Sequence, residues 1–220
     1  MEALDQIANR RIAAVTKQWV EEPLVLVQAE SSEAVLSVGR YDGSTWRADP
    51  VKTRLTARSP LIVTRTRDPE PDTDRDISLW VRSMYRGYQK AFQGFLKKFY
   101  GLEADLNAAG YHVDHLINRA RTLPTAWHRV ELCKSDVNGE WGRTYEKARS
   151  VDKSRQDKRD RRTVDYCTLA KFAGLHPPIG PDKVQHLNAI VEYFAAANLP
   201  RDETRKDVEE LLEVAAKGIA

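Results

Sequence analysis

The sequence predicts an α+β fold, with a mostly helical domain preceded by a small module of one helix and an antiparallel sheet. Three observations carry this expectation. Residues 23 to 66 hold short β-branched runs between turn formers, and both ends of the chain repeat apolar residues at helical spacing. Residues 110 to 150 change texture from strand to loop to strand to helix.

Taken in order, Leu4, Ile7, Ile12, Val15 and Trp19 follow the spacing of an amphipathic helix over 3–19. "PLVLVQ", "EAVLSVG" and "SPLIVTRT" read as strands, with "YDGS" at 41–44 as a turn. "RDPEPDTDRD" combines two prolines with dense charge and marks the boundary between an N-terminal module, 1–75, and a second domain, 76–220. The strongest helix signal is "DISLWVRSMYRGYQKAFQGFLKKFYG". Asp76 or Ser78 can cap it, Gly101 can stop it, and Trp80, Met84, Tyr88, Phe92, Phe95 and Phe99 form its core stripe. A short helix is expected over 102–109. "YHVDHLI" and "HRVELC" then read as two strands, and "NGEWGRTYEKARS" as a helix capped by Asn138. "PDKVQHLNAIVEYFAAANL" and "PRDETRKDVEELLEVAAKGIA" are the closing helices.

Composition narrows the function classes. Among 220 residues, 41% are hydrophobic and 30% charged, enough for a core beneath a strongly charged surface. A net charge of +3 makes no argument for nucleic acid by itself. Two cysteines, Cys133 and Cys167, build no disulfide framework, and neither belongs to a C-x-x-C pair. Charges interrupt the N-terminal "MEALDQIANRRIAAVTKQW" too often for a signal-peptide core, and no apolar run reaches membrane-spanning length. The expectation is a soluble cytoplasmic protein, or one delivered into a target cell's cytoplasm without a cleaved signal, with no membrane partner. No Gly-rich phosphate loop, G-x-S-x-G elbow or H-E-x-x-H helix occurs.

The chemistry concentrates in "GYHVDHLINRAR", residues 110–121. A histidine beside an acid at a strand end can deprotonate water while the acid holds a divalent metal. An asparagine on the following helix can supply a second oxygen ligand. Such an oxygen site suits one Mg²⁺ or Mn²⁺ ion better than zinc.

The segment resembles the HNH endonucleases, the His-Me finger or ββα-metal group, in the D-H…N variant. "VDHLI" is similar to the start of that motif. "VELCKSDVN" is similar to the segment carrying its second and third signature positions. The resemblance implies a ββα-metal element, with Asp114 as metal ligand, His115 as general base and Asn138 as second metal ligand. It also implies metal-dependent phosphodiester hydrolysis that leaves a 5′-phosphate and a 3′-hydroxyl, on DNA in preference to RNA. The family's middle asparagine, which orients the base, is replaced by Arg129, with His128 before it; both stand as candidates for that role. Asp136 stands where a C-x-x-C partner of Cys133 would be, so Cys133 reads as a core residue.

Arg119 and Arg121, in the loop after the base, either contact phosphate or lie solvated. Arg143 and Lys147, on the helix with Asn138, are candidate DNA contacts, whereas Trp141 reads as core. His112 shares a strand face with Asp114 and reads either as an exposed strand histidine or as a phosphate contact. His176 and His186 read as structural. The basic run "RTYEKARSVDKSRQDKRDRR" either tracks a phosphate backbone or forms a solvated, ion-paired segment. A small nuclease of this kind fits a bacterial toxin, an antiphage or restriction component, or a phage enzyme. A toxin would need an immunity protein over its basic cleft. The competing class is a non-catalytic module that binds nucleic acid or a partner, with a purely structural ββα element.

Overall fold

The computed structural model describes residues 2–21, 25–37, 45–50, 60–66, 72–117, 122, 124–146 and 162–217. Helix α1 (Glu2–Glu21) leads into β1 (Leu26–Ala29), α2 (Ser32–Ser37), β2 (Thr45–Pro50), β3 (Leu61–Thr66) and β4 (Ile77–Arg82). Then follow α3 (Tyr88–Tyr100), β5 (Tyr111–His115), β6 (Trp127–Lys134), α4 (Ser135–Trp141) and a π-helical turn, Gly142–Glu146. Strand β7 (Arg162–Thr163) and helices α5 (Tyr166–Phe172), α6 (Lys183–Ala196) and α7 (Arg201–Lys217) complete the described chain. The chain is thus α+β, as the sequence predicts. No helix among the described residues is long and apolar enough to cross a membrane.

The described strands form one seven-stranded antiparallel sheet in the order β2-β3-β4-β6-β1-β7, with β5 also on β6. Strand β6 is its centre. Val130 pairs with Leu79 of β4 on one edge and His115 of β5 on the other, while Trp127 pairs with Arg82 and Ala29. So β4 takes one edge of β6, and β1 and β5 share the second. The expected boundary after residue 75 falls between β3 and β4, which are hydrogen-bonded neighbours. Segments on both sides of it build one sheet.

Several elements differ from the sequence expectation for physical reasons. The long helix over 76–101 divides: Ile77–Arg82 is a strand, and helix begins only at Tyr88. Five of the six residues of β4 are buried. A strand covered on both faces shows an unbroken apolar run, which periodicity cannot separate from a buried helix. Met84, placed in the expected core stripe, is 62% exposed. The stop at Gly101 holds. Its φ of 64° is left-handed, and its N–H reaches the Lys97 carbonyl at 3.2 Å.

"EAVLSVG" contributes a helix, α2, where a strand is expected. The Ser31 hydroxyl accepts the Ala34 N–H at 3.1 Å, and this local cap overrides β-branched propensity. The sheet instead gains Thr45–Pro50, and the expected turn at 41–44 lies outside the described residues. Residues 102–109 are irregular with turns rather than helix; the Asp105 carboxylate accepts the Asn107 and Ala108 N–H groups at 3.1 and 3.2 Å. Helix α4 begins at Ser135, so Asn138 lies inside it and is not its cap.

Two hydrophobic clusters hold the centre. Phe92, Phe95 and Leu96 of α3 share one with Leu79, Val81, Val113, Val130 and Leu132. Val137, Trp141 and Tyr145 share the other with Leu169, Phe172, Leu187, Ile190 and Phe194 of the C-terminal helices. Helix α1 joins both, with Leu4 and Ile7 in the first and Ile12 and Val15 in the second. Full burial of each such side chain stabilises by about 1.5–3 kcal/mol. Arg11 of α1 is buried as well and grips Glu131 of β6 through Nε at 2.8 Å and Nη2 at 2.6 Å. Its other bonds go to the Tyr100 hydroxyl and the carbonyls of Thr73 and Ile77. Arg11 thereby ties the N-terminal helix to the central strand.

Candidate functional site

Strand β5 presents Tyr111, Val113 and His115 to the interior and leaves His112 and Asp114 half-buried. The period of two puts His112 and Asp114 on one face and His115 on the other. Strands β5 and β6 pair from Tyr111 with Lys134 to His115 with Val130, and α4 follows β6 directly. Two antiparallel strands and a helix therefore frame these residues.

The Asp114 carboxylate folds back along the chain. Its Oδ1 accepts the backbone N–H of His115 at 2.8 Å and lies 3.8 Å from the His115 Nδ1. Its Oδ2 accepts from the ammonium of Lys171, on α5, at 2.6 Å. Lys171 Nζ also donates to Glu146 Oε1, from the π-helical turn, at 2.5 Å. Burial alone would raise the Asp114 pKa, but the hydrogen bond to His115 and the Lys171 ammonium hold it well below the carboxylate range. Burial would lower the Lys171 pKa, and the two carboxylates reverse this and hold the ammonium charged.

His115 is 3% exposed and lies in an aromatic setting. Its ring meets Tyr88 edge-on at 4.8 Å and His128 at 5.4 Å. His128 is fully buried beside it. The Nε2 of His115 is buried and has no hydrogen-bond partner among the described residues.

Asn138 reaches back to β5, with its Nδ2 3.5 Å from His112 Nδ1, so it lies on the face that carries Asp114. Arg129 does not turn toward His115. It is buried and bonds Glu131 Oε1 through Nε at 3.2 Å and Nη2 at 3.0 Å, beside Arg11, and its carbonyl accepts the Leu116 N–H at 3.0 Å. Arg143 is exposed on the π-helical turn. Arg119, Arg121, Lys147 and most of the basic run lie outside the described residues. Trp141 is fully buried, with its indole N–H on the Leu175 carbonyl at 2.8 Å, and Cys133 is buried too. His176 bonds Glu140 at 2.8 Å and stacks on His186 at 5.4 Å.

Lys171 and Glu146 are not among the residues the sequence pattern singles out. One signal was present, since Lys171 interrupts the apolar "YCTLAKFAGL", where a fully buried lysine requires a partner. Glu146 hides in the basic run and is delivered by the π-helical turn, a widening that sequence spacing does not reveal.

Asp114 and Asn138 offer oxygen donors on one face, the right chemistry for Mg²⁺ or Mn²⁺. The surroundings do not fit the ion. Both Asp114 oxygens are engaged, one by a buried ammonium, and a divalent cation there would face like charge at close range. Among the described residues, no group of three or more His, Cys, Asp and Glu side chains is arranged to hold a metal ion. Comparisons with protein-family models, curated proteins and solved structures found no match for this chain.

Proposed function

We propose that the protein is a phosphodiester hydrolase, a nuclease that acts on DNA in preference to RNA, with His115 as general base. The observation that carries this reading is the Nε2 of His115, unpartnered among the described residues, at the end of β5 where Asp114 fixes the backbone. A buried polar atom left unbonded costs about 1–3 kcal/mol, and a role as proton acceptor for a bound water accounts for keeping it. In this role the imidazole takes a proton from the water that attacks phosphorus, the P–O3′ bond breaks, and the departing 3′-oxygen takes a proton from solvent, giving a 5′-phosphate and a 3′-hydroxyl. The "VDHLI…VELCKSDVN" pattern supports the same chemistry. The divalent ion that the pattern implies at Asp114 and Asn138 enters no step here, because Lys171 already engages Asp114. A toxin held by an immunity protein, an antiphage component and a phage enzyme are the roles this activity suits.

The burial of His115 favours a second reading, a nucleic-acid- or partner-binding module without catalysis. Supercoiled plasmid separates the two. The hydrolase nicks it, in EDTA as well as with Mg²⁺ or Mn²⁺ because the ion enters no step, and His115→Ala slows nicking by about 10²–10⁴-fold. A binding module retains DNA with a steep salt dependence and produces no nicks. Equal cutting by wild type and His115→Ala would refute His115 as the base.

A further inference from the structure

Asp114 and Glu146 come from different elements, β5 and the π-helical turn, yet both carboxylates end on one point, 2.6 and 2.5 Å from Lys171 Nζ. That point is a cation position by construction, because two carboxylates meeting with no positive charge between them would repel. The group filling it is part of the chain. Lys171 has a side chain 2% exposed, so its ammonium cannot move out to solvent as surface lysines do. Its helix is anchored on both sides of it, with Leu169, Ala170 and Phe172 buried in the second cluster. The Lys171 carbonyl meets Cys133 Sγ at 3.6 Å, which ties the base of the side chain to β6.

We propose that Lys171 is the resident cation of the Asp114–Glu146 site: its ammonium takes the position a divalent ion would need, and the wild-type centre binds no Mg²⁺ or Mn²⁺. The inference concerns the site of the proposed hydrolase but does not depend on catalysis. Lys171 then acts as a positioning residue. It holds Asp114 Oδ2 while Oδ1 holds the His115 N–H, so one fixed charge sets the strand end that carries the imidazole. A permanent ammonium also cannot be removed by a chelator. Removing it by substitution leaves two carboxylates converging on one position without a cation, and carboxylate oxygens are the donors a divalent ion takes.

The test is Mn²⁺ uptake, read as loss of the free-ion electron paramagnetic resonance signal. Four folded proteins are titrated: wild type, Asp114→Asn, Lys171→Met, and Lys171→Met combined with Asp114→Asn. Expected is no Asp114-dependent uptake by wild type, one Mn²⁺ per chain for Lys171→Met, and loss of that ion in the double variant. Stoichiometric uptake by wild type that Asp114→Asn abolishes would overturn the proposal, as would a folded Lys171→Met that takes up none. The wild-type and Asp114→Asn titrations decide the matter even if Lys171→Met does not fold. Mn²⁺ uptake reads this proposal alone, and plasmid nicking by His115→Ala reads the hydrolase, so either can fail without the other.

Discussion

At the scale of single residues, the protein places ionic groups inside its sheet and satisfies them there. Glu131 lies between Arg11 and Arg129. Burial alone would raise its pKa, but the two guanidiniums outweigh burial and hold it below the ordinary value of 4.5. A carboxylate with a depressed folded-state pKa contributes stability that is complete above the unfolded value and lost as pH falls through the folded one. Unfolding free energy is therefore expected to decline below about pH 4.5, and Glu131→Gln to flatten that acid limb in urea melts. The same variant loses stability at neutral pH by about 3–5 kcal/mol, because it leaves buried guanidinium charge uncompensated. An acid limb as steep in Glu131→Gln as in wild type would show that this carboxylate does not carry the effect.

At the scale of elements, the strand-strand-helix frame depends on how α4 seats on the C-terminal helices. Trp141 is the anchor, fully buried and bonded to the Leu175 carbonyl at 2.8 Å. Trp141→Ala is expected to cost about 3–5 kcal/mol in denaturant unfolding. A loss below about 1 kcal/mol would mean that the helix seats by other contacts. Elements with a local cause were legible in the sequence. The first helix, the stop at Gly101, both strands of the frame and the two closing helices all follow from periodicity or capping. Elements fixed by long-range pairing were not. Ile77–Arg82 is a strand because β3 and β6 lie on either side of it, and no feature of "ISLWVR" states that. The site divides in the same way. Asp114, His115 and Asn138 stand close in sequence, and one motif names them together. Lys171 belongs to a helix that follows the long basic run, and only the fold brings it to Asp114.

At the scale of the whole molecule, the continuous sheet predicts that residues 1–75 and 76–220 do not separate. A fragment of 76–220 loses the β1 partners of His128 and Trp127, the β3 partners of β4, and the Arg11 grip on Glu131. Such a fragment is expected to show no cooperative thermal transition by circular dichroism. A sharp native-like melt would instead support a boundary near residue 75. The fold also sets the terms of the proposed chemistry. It packs His115 against Tyr88 and His128 on one face of β5 and fixes Asp114 by Lys171 on the other. The measurement that tests this most directly is the initial rate of plasmid nicking by wild type and His115→Ala at equal concentration. Nicking by wild type and a loss of about 10²-fold or more in the variant are expected; equal rates, or no nicking by a folded wild-type protein, would contradict His115 as the base.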